Sequence, residues 1–227
     1  WATLTLPNVK PILFSTEQAA FLAGYLAAAS TKTGKVAAFG GTPEAPVKAF
    51  LDGFSDGIDK FNTDNSGSVK LLGWNKAKQD GTFSGDYTDI AKGKTLSEQF
   101  IAQGADIILP VAGQVGEGAG AAALEHAGTS VIWVDSDGYL TAPAAYKPIM
   151  LTSIQKNMTD AVASVIGEAH DNKWSNSTFV GTLANGGVSI APEHELAWPA
   201  GVAAKLDALK ADIVSGKLKV VSASTPN

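Results

Sequence analysis

Two carboxylates one residue apart, Asp135 and Asp137, follow the apolar run Val131–Val134 and are the side chains best suited to chemistry. Such a pair can hold a metal, work as acid and base, or accept hydrogen bonds from neighbouring hydroxyls. A metal needs further ligands, and the three histidines, His126, His170 and His194, stand elsewhere in the sequence. A carboxylate can accept two hydroxyls with its two oxygens, which suits a ribose or another sugar. At least one of the two is expected to touch a ligand, with Asp135 mattering more than Asp137. Lys156, after Leu151-Thr152-Ser153-Ile154-Gln155, is expected at a strand-to-helix junction. A cation there opposes the helix dipole, which points to another purpose than helix capping, with an exposed lysine the alternative.

Three further constellations compete. Gly118-Ala119-Gly120-Ala121-Ala122-Ala123 fits the dinucleotide pattern G-x-G-x-x-[GA], with Asp135 downstream. The first glycine should come directly after a strand, yet Gly118 stands well past Val111, which counts against an NAD-type enzyme. Glu193-His194-Glu195 looks like a metal or acid–base cluster, but alternate loop residues rarely converge, and it is read as solvated. Asn157-Met158-Thr159 and Asn176-Ser177-Thr178 are glycosylation sequons by letter and are read as chance. The sequence contains no Ser/His/Asp arrangement and no phosphate-gripping loop, so no catalysis and no cofactor are expected. Binding remains.

The elements that would position these residues alternate. Val36–Phe39, Val69–Trp74, Ile107–Val111, Val131–Val134 and Ile149–Thr152 read as strands. Between them, Val47, Phe50, Leu51, Phe54, Ile58 and Phe61 recur at helical spacing, as do Leu96, Phe100 and Ile101 within Ile90–Gln103. Glu117–Ala127 is an Ala-rich helix, and another helix starts near Lys156. Phe179–Leu183 and Val188–Ile190 flank an Asn185-Gly186-Gly187 turn, and a last helix begins near Pro199 and stops at Gly216. Thr16–Ser30 is a helix of small residues ahead of the first strand. Continuous apolar strands alternating with helices imply an α/β fold with a parallel sheet covered on both faces. Ligands bind beyond the carboxyl ends of such strands. Those ends are Gly40-Gly41-Thr42, Asn75, Val111-Ala112-Gly113-Gln114 and Asp135-Ser136-Asp137.

Composition narrows the partners. The 227 residues carry a formal charge of −5, with 17 basic residues, all Lys. Without Arg, the main bidentate reader of phosphate and guanine, a nucleic-acid partner is not expected. Zero Cys removes disulfides, thiol catalysis and Cys-bound zinc. The longest apolar run, Ala19–Ala29, is far short of the ~20 residues that cross a bilayer. The chain begins at Trp1 rather than Met, so it is expected to be processed or truncated.

The segments Glu17–Gly24, Gly34–Gly41, Ala91–Lys94, Gln103–Ile108, Pro110–Gly113, Val134–Asp137, Leu151–Ser153 with Lys156-Asn157, and Ala184–Val188 together resemble the basic-membrane-protein family. These are extracytoplasmic substrate-binding lipoproteins of ABC importers, many of them purine-nucleoside receptors. The resemblance implies a type I periplasmic-binding-protein fold, two α/β lobes joined by crossing strands. Residues 1–34 would be a remnant of the N-terminal lobe with a crossing segment, and residues 35–152 the C-terminal lobe. Residues 153–227 would be a crossing helix, return strands and a helix shared between lobes. It also implies that Asp135 holds ribose hydroxyls with Lys156 assisting, and that Gly113 and Gln114 line the base or ribose side. Val111, Ala112 and Gly41 would complete that wall. The implied partners are a nucleoside and a membrane permease. Family members carry a long stretch ahead of the position matching Trp1, and that part of the first lobe is expected to exist on a separate fragment or elsewhere in the protein. A ligand-sensing regulator of the same fold is the remaining alternative.

Overall fold

A computed structural model describes residues 6–226. Trp1 and the other residues that open the 1–34 segment, up to position 5, lie outside them. In chain order the elements are β1 (Ile12–Phe14), α1 (Thr16–Ser30), β2 (Lys35–Gly40), α2 (Ala45–Asn65), β3 (Lys70–Leu72), β4 (Trp74–Asn75) and β5 (Asp80–Gly81). Then come α3 (Ile90–Ala102), β6 (Ile107–Val111), α4 (Val115–Glu125), β7 (Ser130–Asp135), the short α5 (Gly138–Thr141) and a 3₁₀ turn (Ala144–Ile149). β8 (Met150–Lys156), α6 (Met158–His170), β9 (Phe179–Gly181), β10 (Val188–Ile190) and α7 (Val202–Val214) complete the order.

The fold class is α/β, as expected. β10-β8-β7-β6-β2-β3 form a six-stranded sheet in which β10 alone runs antiparallel. Side chains alternate between the two faces of a strand. Val36 and Ala38 of β2 and Ile107 and Leu109 of β6 therefore join one core with α1, α2 and α7. Ala37, Phe39 and Ile108 join the other, with Phe100 of α3 and Val115 and Ala119 of α4. Both faces are apolar, which is why these strands read as unbroken hydrophobic runs. β1 and β9 pair in parallel as a separate two-stranded sheet.

Several boundaries move for local reasons. Val69–Trp74 is not one strand: Gly73, at φ 82°, breaks it, sending Trp74-Asn75 into a hairpin with Asp80-Gly81. The Ala-rich helix runs Val115–Glu125 rather than Glu117–Ala127. β8 continues to Lys156, which ends a strand instead of starting a helix. The helix-dipole reading of that lysine is thereby corrected, since α6 begins beyond Asn157. Phe179–Gly181 and Val188–Ile190 do flank a turn, but they join different sheets. The last helix starts at Val202, and Pro199 caps it by accepting the Val202 N–H, 3.1 Å. α1 packs on α2, β8, β10 and α7.

Glycine decides how closely α1 and α2 approach. A Cβ on Gly57 would sit 2.0 Å from the Phe21 carbonyl oxygen, and one on Gly53 2.1 Å from that of Glu17. Gly57→Ala gains up to ~1 kcal/mol of helix propensity. Separating the helices outweighs it, and a net loss of about 2 kcal/mol in chemical denaturation is expected.

At the start of this interface lie two buried acids, Glu17 and Asp52. Asp52 accepts hydrogen bonds from Trp74 Nε1 at 3.1 Å, Gln79 Nε2 at 2.9 Å and Ser222 Oγ at 2.6 Å, tying the β4–β5 hairpin and the C-terminal tail to α2. Glu17 is less well served. Burial pushes its carboxyl above the ordinary range against hydrogen bonds to its own backbone, Thr225 and Ser15, and Asp52 pushes it the same way. A carboxyl raised by folding contributes stability below its unfolded value, and that contribution is lost as pH rises through the folded one. Glu17→Gln should therefore unfold at higher denaturant than the parent at pH 7 to 8, and the difference should vanish near pH 4. An equal gain at both pH values would assign the effect to packing.

Candidate functional site

The carboxyl ends of β2, β6, β7 and β8 lie along one edge of the large sheet because all four strands run parallel. There, Val111, Ala112 and Gly113 from β6, Asp135 from β7 and Lys156 from β8 face Glu44, Val47 and Phe50 at the start of α2, around a recess of about 200 Å³. Larger recesses exist elsewhere on the molecule, but this one holds the paired charges at the strand ends.

Asp135 is its centre. Its backbone adopts φ 70°, a left-handed conformation that a non-glycine residue holds at a cost of roughly 1–2 kcal/mol. Strain of this kind clusters where a side chain must be aimed. Lys156 Nζ stands 2.8 Å from Oδ1, an atom that is itself buried and makes no hydrogen bond. Among the described residues Oδ2 has no partner either, and the side chain is 48% exposed. The Lys156 ammonium also lies 5.1 Å from the centre of the buried Phe50 ring, which fixes where the cation sits. At such exposure the ion pair adds ~1 kcal/mol or less to stability. Its effect is to hold a carboxylate at the mouth with one oxygen free to accept a hydroxyl.

Gly113, at φ 57°, turns the chain out of β6 into α4. Gly41 lies beneath the Tyr87 ring, where a Cβ would come 2.3 Å from ring carbon. Tyr87, hydrogen-bonded through its hydroxyl to Thr42 Oγ1 at 2.8 Å, therefore lines the recess where Gly41 does not. Gln114 is exposed at the head of α4 and lies outside the recess. Asn75 is carried off in the β4–β5 hairpin, its Oδ1 accepting the Lys78 N–H. Tyr87, Phe50 and Glu44 have no sequence signal. Tyr87 sits in an irregular loop, and Phe50 reads as one more residue of the α2 core stripe.

Asp137 has a different employment. Its buried carboxylate caps α5, accepting the Tyr139 N–H at 3.0 Å, and meets His194 Nε2 at 2.8 Å. The His194 and Tyr139 rings stack 4.0 Å apart at 10°, and Tyr139 donates its hydroxyl to Glu195 Oε1 at 2.8 Å. The Glu195 carboxylate holds the Tyr139 phenol above its usual value. The Glu193-His194-Glu195 segment is thus a clasp between loops, not three solvated side chains. Among the described residues no group of three or more His, Asp and Glu side chains could hold a metal.

Gly118 and Gly120 lie inside α4 rather than at a strand-to-helix turn. A Cβ on Gly118 would come 2.1 Å from the Ile90 carbonyl oxygen, and one on Gly120 2.6 Å from the Tyr146 ring. These glycines serve close packing of α4 on α3 and on the 3₁₀ turn, which removes the dinucleotide reading.

Residues 3–222 match the family described as ABC transporter substrate-binding protein, PnrA-like. The chain belongs to this family. It is 29% identical over 228 residues to the ABC transporter nucleoside-binding protein BmpA of Lactococcus lactis subsp. cremoris, covering 95% of this chain and 61% of that protein. Basic membrane protein B of Borreliella burgdorferi is 31% identical over 176 residues, 76% of this chain and 47% of that one. The chain thus spans less than two thirds of the length of these curated relatives. Among solved structures, an ABC transporter solute-binding protein from Aeropyrum pernix superposes with a TM-score of 0.79 at 24% identity, over 100% of this chain and 70% of that one. A transcriptional activator of the comK gene from Bacillus halodurans gives 0.79 at 18% identity, over 95% and 68%. The family is one of substrate-binding proteins of ABC transporters, and the solved structures share the fold.

The two aspartates should separate in a stability measurement. Asp137→Ala loses a helix cap and leaves His194 without its acceptor, an expected loss of about 2–3 kcal/mol. Asp135→Gly relieves the left-handed backbone and should leave the denaturation midpoint unchanged or raised. Equal destabilisation by both would contradict this division.

Proposed function

We propose that this chain is the ligand-holding part of an extracytoplasmic receptor that delivers a nucleoside, purine favoured, to an ABC permease. The observation that carries the reading is the Asp135 carboxylate, strained into the recess, its Oδ1 beside Lys156 and neither oxygen hydrogen-bonded among the described residues. That geometry suits the vicinal hydroxyls of a ribose, which donate two hydrogen bonds to one carboxylate. Family membership and the nucleoside-binding relative from Lactococcus lactis support it.

In this reading Asp135 accepts the ribose hydroxyls and Lys156 neutralises it. Val111, Ala112 and Gly113 let the ligand lie against backbone, and Tyr87 offers a ring to the base. Gln114 reaches the base from the rim, Gly41 acts through Tyr87, and Asp137 positions the loop without touching ligand. The second wall of the cleft comes from a first lobe. The β1–β9 pair and the exposed apolar stripe Met158, Val162 and Ile166 of α6 are the surfaces that lobe would cover. Attachment to the membrane would be by a lipid anchor, as the family resemblance implies; no helix among the described residues is long and apolar enough to span a membrane. A sensing role of the same fold rests on fold likeness alone.

Equilibrium dialysis against adenosine, guanosine, 2′-deoxyadenosine and NAD tests the reading. Ribonucleosides should bind best, and Asp135→Ala should weaken adenosine relative to the parent chain by about 2–4 kcal/mol, the loss of hydroxyl bonds to a charged acceptor. Lys156→Met should also weaken it. Tight NAD binding without nucleoside, or equal affinity in Asp135→Ala, would sink the assignment.

A further inference from the structure

A cavity of about 490 Å³ lies at the opposite edge of the large sheet, where β6, β7 and β8 begin. Ser130 and Asp135 are the two ends of β7, which separates the cavity from the candidate nucleoside site by roughly 17 Å. Its wall is apolar: Ile149 and Leu151 from the start of β8, Leu196, and the indole of Trp198. Trp198 is fixed there because its Nε1 donates to the Leu151 carbonyl at 2.9 Å.

Among the described residues, four polar side chains in the lining have no partner: Ser30, Thr129, Ser130 and Lys32. Thr129 and Ser130 are 7% and 8% exposed as residues, with hydroxyls that open on the cavity, whereas Ser30 Oγ is itself buried without a hydrogen bond. Buried hydroxyls are ordinarily paired, so an unpaired one beside two open ones marks a place for a ligand or water. Lys32 adds an exposed ammonium in no ion pair. Its position is set by Asp106, whose carboxylate accepts from Thr31 Oγ1 at 2.5 Å, Lys32 N at 2.6 Å and Thr33 N at 3.0 Å. Asp106 also lines the cavity, but these three donors already engage both its oxygens. The groups left over are three hydroxyls and one cation beside an apolar wall.

We propose that this cavity is a second small-molecule site, taking a monocarboxylate with an aromatic or branched apolar body. The carboxylate receives hydrogen bonds from Thr129 and Ser130 and the charge of Lys32, while the body lies against Trp198, Leu196 and Leu151. Water satisfies the hydroxyls alone and leaves that wall unfilled. None of its residues belongs to the nucleoside recess, so either site can fail without the other.

The test titrates the chain with indole-3-acetate and with its uncharged analogue indole-3-ethanol, followed by ligand NMR and by ¹⁵N amide shifts. Saturable binding of the carboxylate with shifts centred on Thr129 and Ser130 is the expected result. Lys32→Gln and the double variant Thr129→Val/Ser130→Ala should each weaken it at least fivefold without lowering the melting temperature. Asp135→Ala should leave it unchanged. A cavity that holds only water gives no saturable shift up to millimolar carboxylate and overturns the proposal. Equal binding of the alcohol, or indifference to both variants, overturns it as well.

Discussion

Four neighbouring parallel strands buried on both faces cannot be joined by tight turns. Each must return through a crossover, and the crossovers here are helices that cover the faces. Every strand then leaves the sheet at the same edge. β2, β6, β7 and β8 end beside one another for this reason, and residues as distant in sequence as Gly41, Gly113, Asp135 and Lys156 come to one rim. The same constraint sets the strand beginnings along the far edge, where Ile107, Ser130 and Leu151 border the large cavity.

How tightly the helices cover the sheet depends on residues without side chains. Gly24, Gly53 and Gly57 let α1 and α2 touch backbone to backbone, and Gly93 and Gly118 do the same for α3 and α4. Close contact removes water from groups near the interface, and Glu17 carries that consequence in its raised carboxyl. Asp52 escapes a comparable isolation because Trp74, Gln79 and Ser222 all donate to it. A carboxylate surrounded by donors can therefore serve as the tie between a hairpin, a helix and the C-terminal tail.

Asp135 and Asp137 show how two identical side chains, two residues apart, are given opposite tasks. The left-handed kink at Asp135 turns its carboxylate outward, where it meets Lys156 and solvent. The chain then re-enters, and Asp137 is enclosed by the start of α5 and by His194. One carboxylate keeps spare hydrogen-bonding capacity. The other spends its capacity on holding the loop.

The α/β alternation, the doubly covered sheet and the strand ends at Gly41, Gly113 and Asp135 were legible in the sequence. Each rests on local periodicity, and a strand buried on both faces must be apolar throughout. Residues acting across distance were not legible. Nothing near Tyr87 or Phe50 marks them as recess residues, and nothing near His194 announces Asp137. The glycines of α4 carried a misleading pattern, because a glycine needed for helix contact is spelled like one needed for a phosphate turn. Hydrophobic pattern is a property of neighbours along the chain, so composition and spacing determined the elements. Which charge meets which partner is a property of neighbours in space, and only the packed sheet decided it.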